Sequence, residues 1–546
     1  MAERPDPVVT TPYGAVRGRY EDGVAVFRGV PYAAPPFGPR RFMPPVPPEP
    51  WDGVRDAGSF GPTPPKPPYS ARFARLLADP VVPGDDCLNL NVWTPEPDPA
   101  ARLPVMVWIH GGALTRGSSA LPVYDGRAFA RDGVVLVSLN YRLGVEGWGL
   151  FPDAPANAGL RDQIAALEWV REAVGAFGGD PDRVTVFGES AGAISIGALL
   201  ASPRAGGLFR RAVLQSGAPE ATDRDRVRRM VRRTAARLRV PATAAAFAAV
   251  DRRRLAAAQA AVGRRAGPLL GGPAFGVVVD GDVVPRDPLR ALVEEGAARD
   301  VELLLGWTRD EHRLWLAPTG LAERLDRLGP LALAGARARC RCGPAVPRGY
   351  RAARPGAGAA DLVGDMITDH LLRAPLHRLA DARDGAAAPS YVYEFAWPSN
   401  LPGLGACHAL ELGFVFDTLG EPDAARLAGP GAPQELADAV HGAWVRFACG
   451  GDPGWPAWDA AHPVRVFGAG AGAEPRTEAG GDACAAAGEP VVAYGPRDRQ
   501  LALWERGSGS AVSAPAARPR PGPSPRGTAR RSVAARFRRS AGARRP

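Results

Sequence analysis

The sequence predicts an α/β fold: a central, mostly parallel sheet with helices on both faces and helical insertions above the C-terminal ends of the strands. Three observations predict it. Val105-Met-Val-Trp-Ile109 is an unbroken apolar run of strand length, the pattern of a strand covered on both faces, and Val134-Val-Leu-Val-Ser-Leu139 is another. Strand-like runs alternate with segments of helical apolar spacing along most of the chain. Arg183-Val-Thr-Val-Phe-Gly-Glu-Ser-Ala-Gly192 reads as a buried strand that turns at once into a helix.

Taken in order, residues 8–60 are short, proline-rich strands and turns. Phe27-Arg-Gly-Val-Pro-Tyr-Ala-Ala-Pro-Pro36 and Arg41-Phe-Met-Pro-Pro45 forbid long helices and predict a meandering sheet that wraps an edge. Residues 61–83 read as loop. Cys87-Leu-Asn-Leu-Asn-Val-Trp93 alternates as a strand. Gly159 to Phe177 carries Ile164, Leu167, Val170 and Val174 at helical spacing and stops at Gly178-Gly179. Ala212-Val-Leu-Gln-Ser216 is the strand after the serine turn. Residues 220–266 form an Arg/Ala-rich helical insertion. Val301–Leu305 and Tyr391–Phe395 are late strands, and 320–385 between them is mostly helical, with a Gly/Pro break around 343–357. Glu435 to Cys449 is an amphipathic helix.

The 546 residues are 46% hydrophobic and 23% charged, a balance that supports a large core. No apolar run reaches membrane-spanning length, and Met1 to Thr10 lacks the basic and apolar segments of a signal peptide, so a cytoplasmic location is expected. The net charge of +10 suggests nucleic acid until its distribution is read. Eleven arginines and no acidic residue fall in 506–546, which leaves the other 505 residues near −1. The chain therefore divides into a folded domain, 1–505, and an Arg/Pro/Ala-rich tail, 506–546, expected to be disordered. Nucleic-acid binding is not expected of the body; weak polyanion binding is open to the tail. Six cysteines without metal-ligand spacing point to free thiols, and Cys340-Arg-Cys342 is too tight for a structural zinc pair.

Gly188-Glu-Ser-Ala-Gly192 is a G-x-S-x-G turn between strand and helix. Such a turn forces the serine backbone into a strained conformation and holds its hydroxyl above the sheet edge at a helix N-terminus. Ser190 is the candidate nucleophile. In a serine hydrolase built on such a sheet the order along the chain is nucleophile, acid, histidine. His110 precedes Ser190 and is excluded. His370, His377 and His441 lie on helices and read as core or surface histidines, and His462 comes late. His312 adjoins the candidate acids. His408, in a loop after the strand ending near Phe395, is placed to reach Ser190. The acid belongs on the loop after Val301–Leu305, where Asp310 and Glu311 both stand and spacing does not choose between them. Ile109-His-Gly-Gly-Ala113 supplies glycines that let backbone N–H groups approach a carbonyl oxygen.

These motifs, in this order, resemble the type B carboxylesterases, the family of carboxylesterases, cholinesterases and bacterial para-nitrobenzyl esterases. The resemblance covers almost all of 8–505. Besides the segments above it rests on Asp86-Cys-Leu-Asn-Leu-Asn-Val, Asn140-Tyr-Arg-Leu-Gly, Asn157-Ala-Gly-Leu-Arg-Asp-Gln163 and Phe177-Gly-Gly-Asp-Pro181. It continues through Gln215-Ser-Gly217, Val279-Asp-Gly281, Gly306-Trp-Thr-Arg-Asp-Glu311 and His408-Ala-Leu-Glu-Leu. It implies an α/β-hydrolase fold with Ser190 as nucleophile, His408 as base and Glu311, rather than Asp310, as the acid. It implies an oxyanion hole from the N–H groups of Gly112, Ala113 and Ala191, with Ser216 supporting the triad. The family often pairs the cysteine at the place of Cys87 with one shortly upstream; Phe60-Gly-Pro-Thr-Pro-Pro65 holds none, so that disulfide is not expected. His312 replaces a usual glycine and stands to perturb Glu311, and Gly413 stands where proline is common.

The expectation is a serine esterase acting on small-molecule carboxylic esters through an acyl-enzyme, with no metal or organic cofactor. The competing expectation is a non-catalytic binding protein of cholinesterase-like fold. Trp307 and Trp315, near the acid, are candidates for the pocket wall, although buried aromatics are more often core. Substrate and oligomeric state are left open.

Overall fold

The computed structural model describes residues 5–263, 274–468 and 491–505; the predicted tail 506–546 and Cys484 lie outside them. Among the described residues, eleven strands form one sheet. Its order is Val492–Tyr494, Pro463–Phe467, Ser390–Phe395, Glu302–Thr308, Arg211–Gln215, Gly179–Glu189, Leu103–Ile109, Val135–Leu139, Asn89–Thr94, Val24–Pro31 and Arg19–Glu21. From Pro463–Phe467 to Val135–Leu139 every pairing is parallel. The two ends are antiparallel. A separate three-stranded sheet, Val8–Thr11, Gly14–Arg17 and Val54–Asp56, holds the first strands, so the N-terminal meander is split between a small sheet and one edge of the large one.

The central strands are apolar throughout because both faces are covered. Val105, Val107 and Ile109 join the core on one face. Met106 and Trp108 join the core on the other. All five have no measurable exposure. Such burial contributes about 1.5–3 kcal/mol for each large side chain. The helix Ala158–Ala173 continues as a tighter turn, Val174–Phe177, and ends at Gly178 with φ +87°, as the double glycine predicts. Its buried Asp162 takes Arg142 through Nε at 2.8 Å, one terminal nitrogen at 2.6 Å and the backbone N–H at 3.0 Å, locking the turn after Val135–Leu139 to this helix.

The insertions are helical, as expected. The first contains Arg224–Leu238, Ala244–Ala248 and Arg252–Gly263. The second runs through Leu321–Leu328, Pro330–Cys340, Ala345–Ala353 and Ala359–Thr368, then a wider π turn, Asp369–Arg373, into Ala374–Asp381. One expectation is corrected here: the break at 343–357 contains the helix Ala345–Ala353. Pro347 falls in its first turn, where an N–H has no intrahelical acceptor to lose. Val346 and Tyr350 bury one face of this helix among residues of the neighbouring helices.

Candidate active site

The strand Gly179–Glu189 and the helix Ala191–Leu200 meet at Ser190, whose φ of +55° and ψ of −118° lie outside the ordinary regions. Strain of this kind costs about 1–3 kcal/mol and persists only where the surroundings over-determine it. Here the Ser190 N–H donates to the Gln215 carbonyl at 2.8 Å, and its carbonyl accepts from Ile194 at 2.9 Å in the first helical turn. The two motif glycines are required by contact. A Cβ on Gly188 would lie 2.6 Å from the Ile109 carbonyl oxygen, and one on Gly192 only 2.0 Å from it. The turn is thus pressed against the strand that precedes His110-Gly-Gly-Ala113.

That second segment is equally unusual in backbone. Gly112, Ala113 and Leu114 have φ of +110°, +55° and +58°. Among the described residues no acceptor takes the N–H of Gly112 or Ala113, while the Gly112 carbonyl closes the loop by accepting from Thr115 and Arg116. Ala191, the first helical residue after Ser190, has an N–H without an intrahelical acceptor by position. A Cβ at Gly111 would press on Glu189 Oε2 at 2.6 Å and on the Ser190 Cβ at 3.3 Å, so only glycine lets this loop approach the serine. His110 is buried, stacks on Tyr141 at 4.5 Å, and is pushed down to about 3 chiefly by burial; it is a neutral core residue. Lys66, the chain's only lysine, holds the Gly117 carbonyl at 3.1 Å and pairs with Asp79 at 2.5 Å, pinning the far end of the same loop.

His408 arrives on the loop between Ser390–Phe395 and Leu412–Val415. Its Nδ1 lies 2.5 Å from Glu311 Oε2, and Glu311 Oε1 accepts the Thr308 N–H at 2.8 Å. Asp310 does something else: its Oδ2 accepts the Ala406 N–H at 3.0 Å and so anchors the loop that carries His408. The choice left open by spacing is made by direction, since two successive side chains leave the strand end on different sides. His408 Nε2 lies 2.9 Å from Glu189 Oε1, in a contact that lacks hydrogen-bond alignment, and no hydrogen bond joins His408 to Ser190.

Electrostatics around the ring follow from these contacts. Burial disfavours the imidazolium, but the Glu189 and Glu311 carboxylates outweigh it and raise His408 well above its ordinary value. Burial likewise opposes ionisation of Glu311. The charge and hydrogen bond of His408, then Ser216 and the Thr308 N–H, overcome it and hold the acid below the usual range. The buried Ser216 hydroxyl faces Glu311 without a hydrogen bond of ordinary geometry. A third acid, Glu411, is pushed up to about 8 by burial and by Glu189 and Glu311, so it keeps its proton at neutral pH. The Gln215 amide touches Glu411 Oε1 at 3.3 Å and accepts the Trp444 indole N–H at 3.1 Å.

Ser190, His408 and Glu311 line a cavity of about 760 Å³ together with Gly112, Ala113, Ala191 and Ser216. Its outer walls come from residues 67–78 and from both insertions, including Gln259, Phe275, Ile367 and Leu371. The two tryptophans separate. Trp315 lines the cavity and packs on the His408 ring at 4.8 Å. Trp307 is core, its indole donating to Glu394 at 3.1 Å. His312 is buried against Gly364, where a Cβ would meet its ring at 2.1 Å, and lies 3.6 Å from Asp361. Sequence reading missed Glu189 and Glu411. Both were in sight, one inside G-x-S-x-G and one three residues after His408, but only the fold sets Glu189 against the His408 ring and buries Glu411 near Glu189 and Glu311.

Comparison with known proteins places this arrangement. The family model described as the carboxylesterase family matches residues 5–470. The chain is 38% identical over 483 residues to a para-nitrobenzyl esterase of Bacillus subtilis (strain 168), covering 83% of this chain and 92% of the relative. It is 35% identical over 494 residues to a phenmedipham hydrolase of Pseudarthrobacter oxydans, covering 86% and 96%. Among solved structures, a carboxylesterase of Geobacillus stearothermophilus superimposes with a TM-score of 0.76 at 36% identity, covering 91% of this chain and 99% of that one. With its parallel sheet, its strained serine turn and a match over nearly its whole length, the chain belongs to the carboxylesterase family.

Proposed function

We propose that this protein hydrolyses carboxylic esters at Ser190 through a covalent acyl-enzyme. The observation that carries the reading is one cavity holding a serine in a strained strand-to-helix turn and a histidine backed by Glu311 at 2.5 Å. His408 Nε2 takes the Ser190 hydroxyl proton as Oγ bonds to the ester carbonyl carbon. The carbonyl oxygen gains negative charge and is met by the N–H groups of Gly112, Ala113 and Ala191, of which each single donor contributes about 2.7–4 kcal/mol in such sites. The tetrahedral intermediate collapses, and the alcohol leaves with the proton from His408. Water then gives a proton to His408, bonds to the acyl carbon and releases the acid, restoring Ser190. Glu311 orients the ring and stabilises its charged form in both halves, and Ser216 supports Glu311.

The apolar outer walls suit esters with hydrocarbon groups on both sides of the carbonyl, and the relatives named for para-nitrobenzyl esters and phenmedipham supply the first substrates to try. Purified protein should hydrolyse short-chain p-nitrophenyl esters, and Ser190→Ala should lower turnover by several orders of magnitude. A serine-directed phosphonate should label Ser190 once per chain. Undiminished turnover in Ser190→Ala would end the proposal, and failure of the phosphonate to label folded protein would favour a binding protein instead.

Two finer assignments belong to the same reading. The five described cysteines are free, which suits a cytoplasmic site of action and is checked by cell fractionation. The eleven arginines of 506–546 suit weak binding to polyanions, and deletion of that segment should shorten retention on heparin.

A further inference from the structure

We propose that His377, His462 and Asp498 form a binding site for a divalent transition-metal ion of the zinc type, separate from the ester cavity. One ligand atom from each of the three lies within 4.8 Å of the others. The residues come from three parts of the fold: the helix Ala374–Asp381, the turn before the strand Pro463–Phe467, and the first turn of the helix Asp498–Glu505. None of them lines the cavity around Ser190.

The donors have the character such an ion selects. Imidazole nitrogens with one carboxylate are ordinary zinc ligands, with bonds of about 2.0–2.2 Å, and a water completes the tetrahedron. His377 is 6% exposed, and its Nε2 is buried without a hydrogen-bond partner. A polar nitrogen left in that state is costly, and a ligand there offsets the cost. Two guanidinium charges oppose a cation here, Arg497 and Arg373; the first is paired with Glu394 at 3.1 Å and the second with Asp369 at 2.5 Å.

The surroundings also orient the ligands. His462 has φ of +51° in a turn closed by its own N–H to the Asp459 carbonyl at 3.0 Å. Its ring stacks on Trp458 at 4.6 Å with an interplanar angle of 6°, and His377 packs edge-on against the same indole at 4.8 Å. His462 Nδ1 faces both Asp498 carboxylate oxygens at 3.0 Å. Its other nitrogen lies 3.5 Å from Asp381, which is itself fixed by the Trp458 indole N–H at 2.9 Å. A carboxylate behind a ligating imidazole sets the tautomer and raises its basicity. His462 and Asp498 are partly exposed, which gives the ion a path in and lets both side chains close onto it. Bound metal would fasten the helix Asp498–Glu505 to the turn at His462, 36 positions earlier in the chain.

Isothermal titration of the tag-free full chain with zinc chloride tests this. One ion per chain should bind, the melting temperature should rise, and p-nitrophenyl ester turnover should stay unchanged. His462→Ala and Asp498→Asn should each weaken zinc at least ~10-fold and lose the melting shift. Absence of binding at millimolar zinc, or wild-type affinity in both variants, would overturn the site. Should a variant fail to fold, carbethoxylation of the unmodified chain decides: zinc should protect His462 from the reagent, and equal modification with and without zinc would refute the proposal.

Discussion

The roles proposed for Ser190 and His408 depend on the atoms around them. Ser190 sits at φ +55° because the Gln215 carbonyl, the Ile109 carbonyl and the first helical turn leave no other position for the chain. His408 sits between two carboxylates that raise it well above its ordinary value, while reaction with Ser190 requires the unprotonated ring. Activity should therefore rise with pH through a midpoint above the ordinary histidine value. Glu189→Gln removes one raising charge, so the midpoint of kcat/KM against pH should move to lower pH. An unmoved midpoint would mean that Glu189 does not face the titrating ring. Ser216→Ala removes a group that lowers Glu311 and should reduce kcat by a modest factor, on the order of 10-fold, with KM nearly unchanged.

The elements hold these residues in place by contacts that tolerate little change. Gly192 shows this most sharply: a methyl group there would stand 2.0 Å from the Ile109 carbonyl oxygen. Gly192→Ala should displace the serine turn from the His110–Ala113 loop, abolishing ester turnover and lowering the melting temperature together. The Arg142–Asp162 pair does the same work for the helix Ala158–Ala173. Both side chains are almost fully buried, so Asp162→Ala leaves a guanidinium without its partner and should cost about 3–5 kcal/mol in urea unfolding. A change of less than 1 kcal/mol would show that solvent reaches Arg142.

At the scale of the whole molecule, the sheet supplies a rigid floor and the insertions supply the walls. Residues from 67 to 427 meet in the one cavity, although the candidate triad spans only three strand ends. The late part of the sheet is fastened by Glu394, which takes Arg309 at 2.7 Å and Arg497 at 3.1 Å. Burial opposes its charge, but Arg497, Arg309 and Arg373 overcome that and hold Glu394 far below the ordinary value. Its contribution is therefore complete above the unfolded carboxylate range and fades as pH falls below it. Glu394→Gln should lose about 3–5 kcal/mol at pH 7 and show a shallower acid unfolding limb than the parent chain. Equal acid sensitivity in both chains would place the acid-labile group elsewhere.

The sequence by itself determined the sheet and the serine turn. Strand cores such as Val105–Ile109 are legible because burial on both faces demands an apolar residue at every position, and Gly188 and Gly192 are legible because no side chain fits where they stand. The order of Ser190, an acid at Asp310 or Glu311, and His408 is legible too, each following a strand, while the choice of Glu311 came from the family resemblance. What only the tertiary structure decided is direction and company. Asp310 and Glu311 are neighbours in sequence, yet one anchors the His408 loop and the other touches its ring. Glu189 and Trp315 reach that ring from two distant segments. His377 and His462, set aside along the chain as candidate bases, meet Asp498 only after folding. Periodicity records which face of an element is buried, whereas a charge acts through distance, and distances between remote segments exist only once the chain has closed.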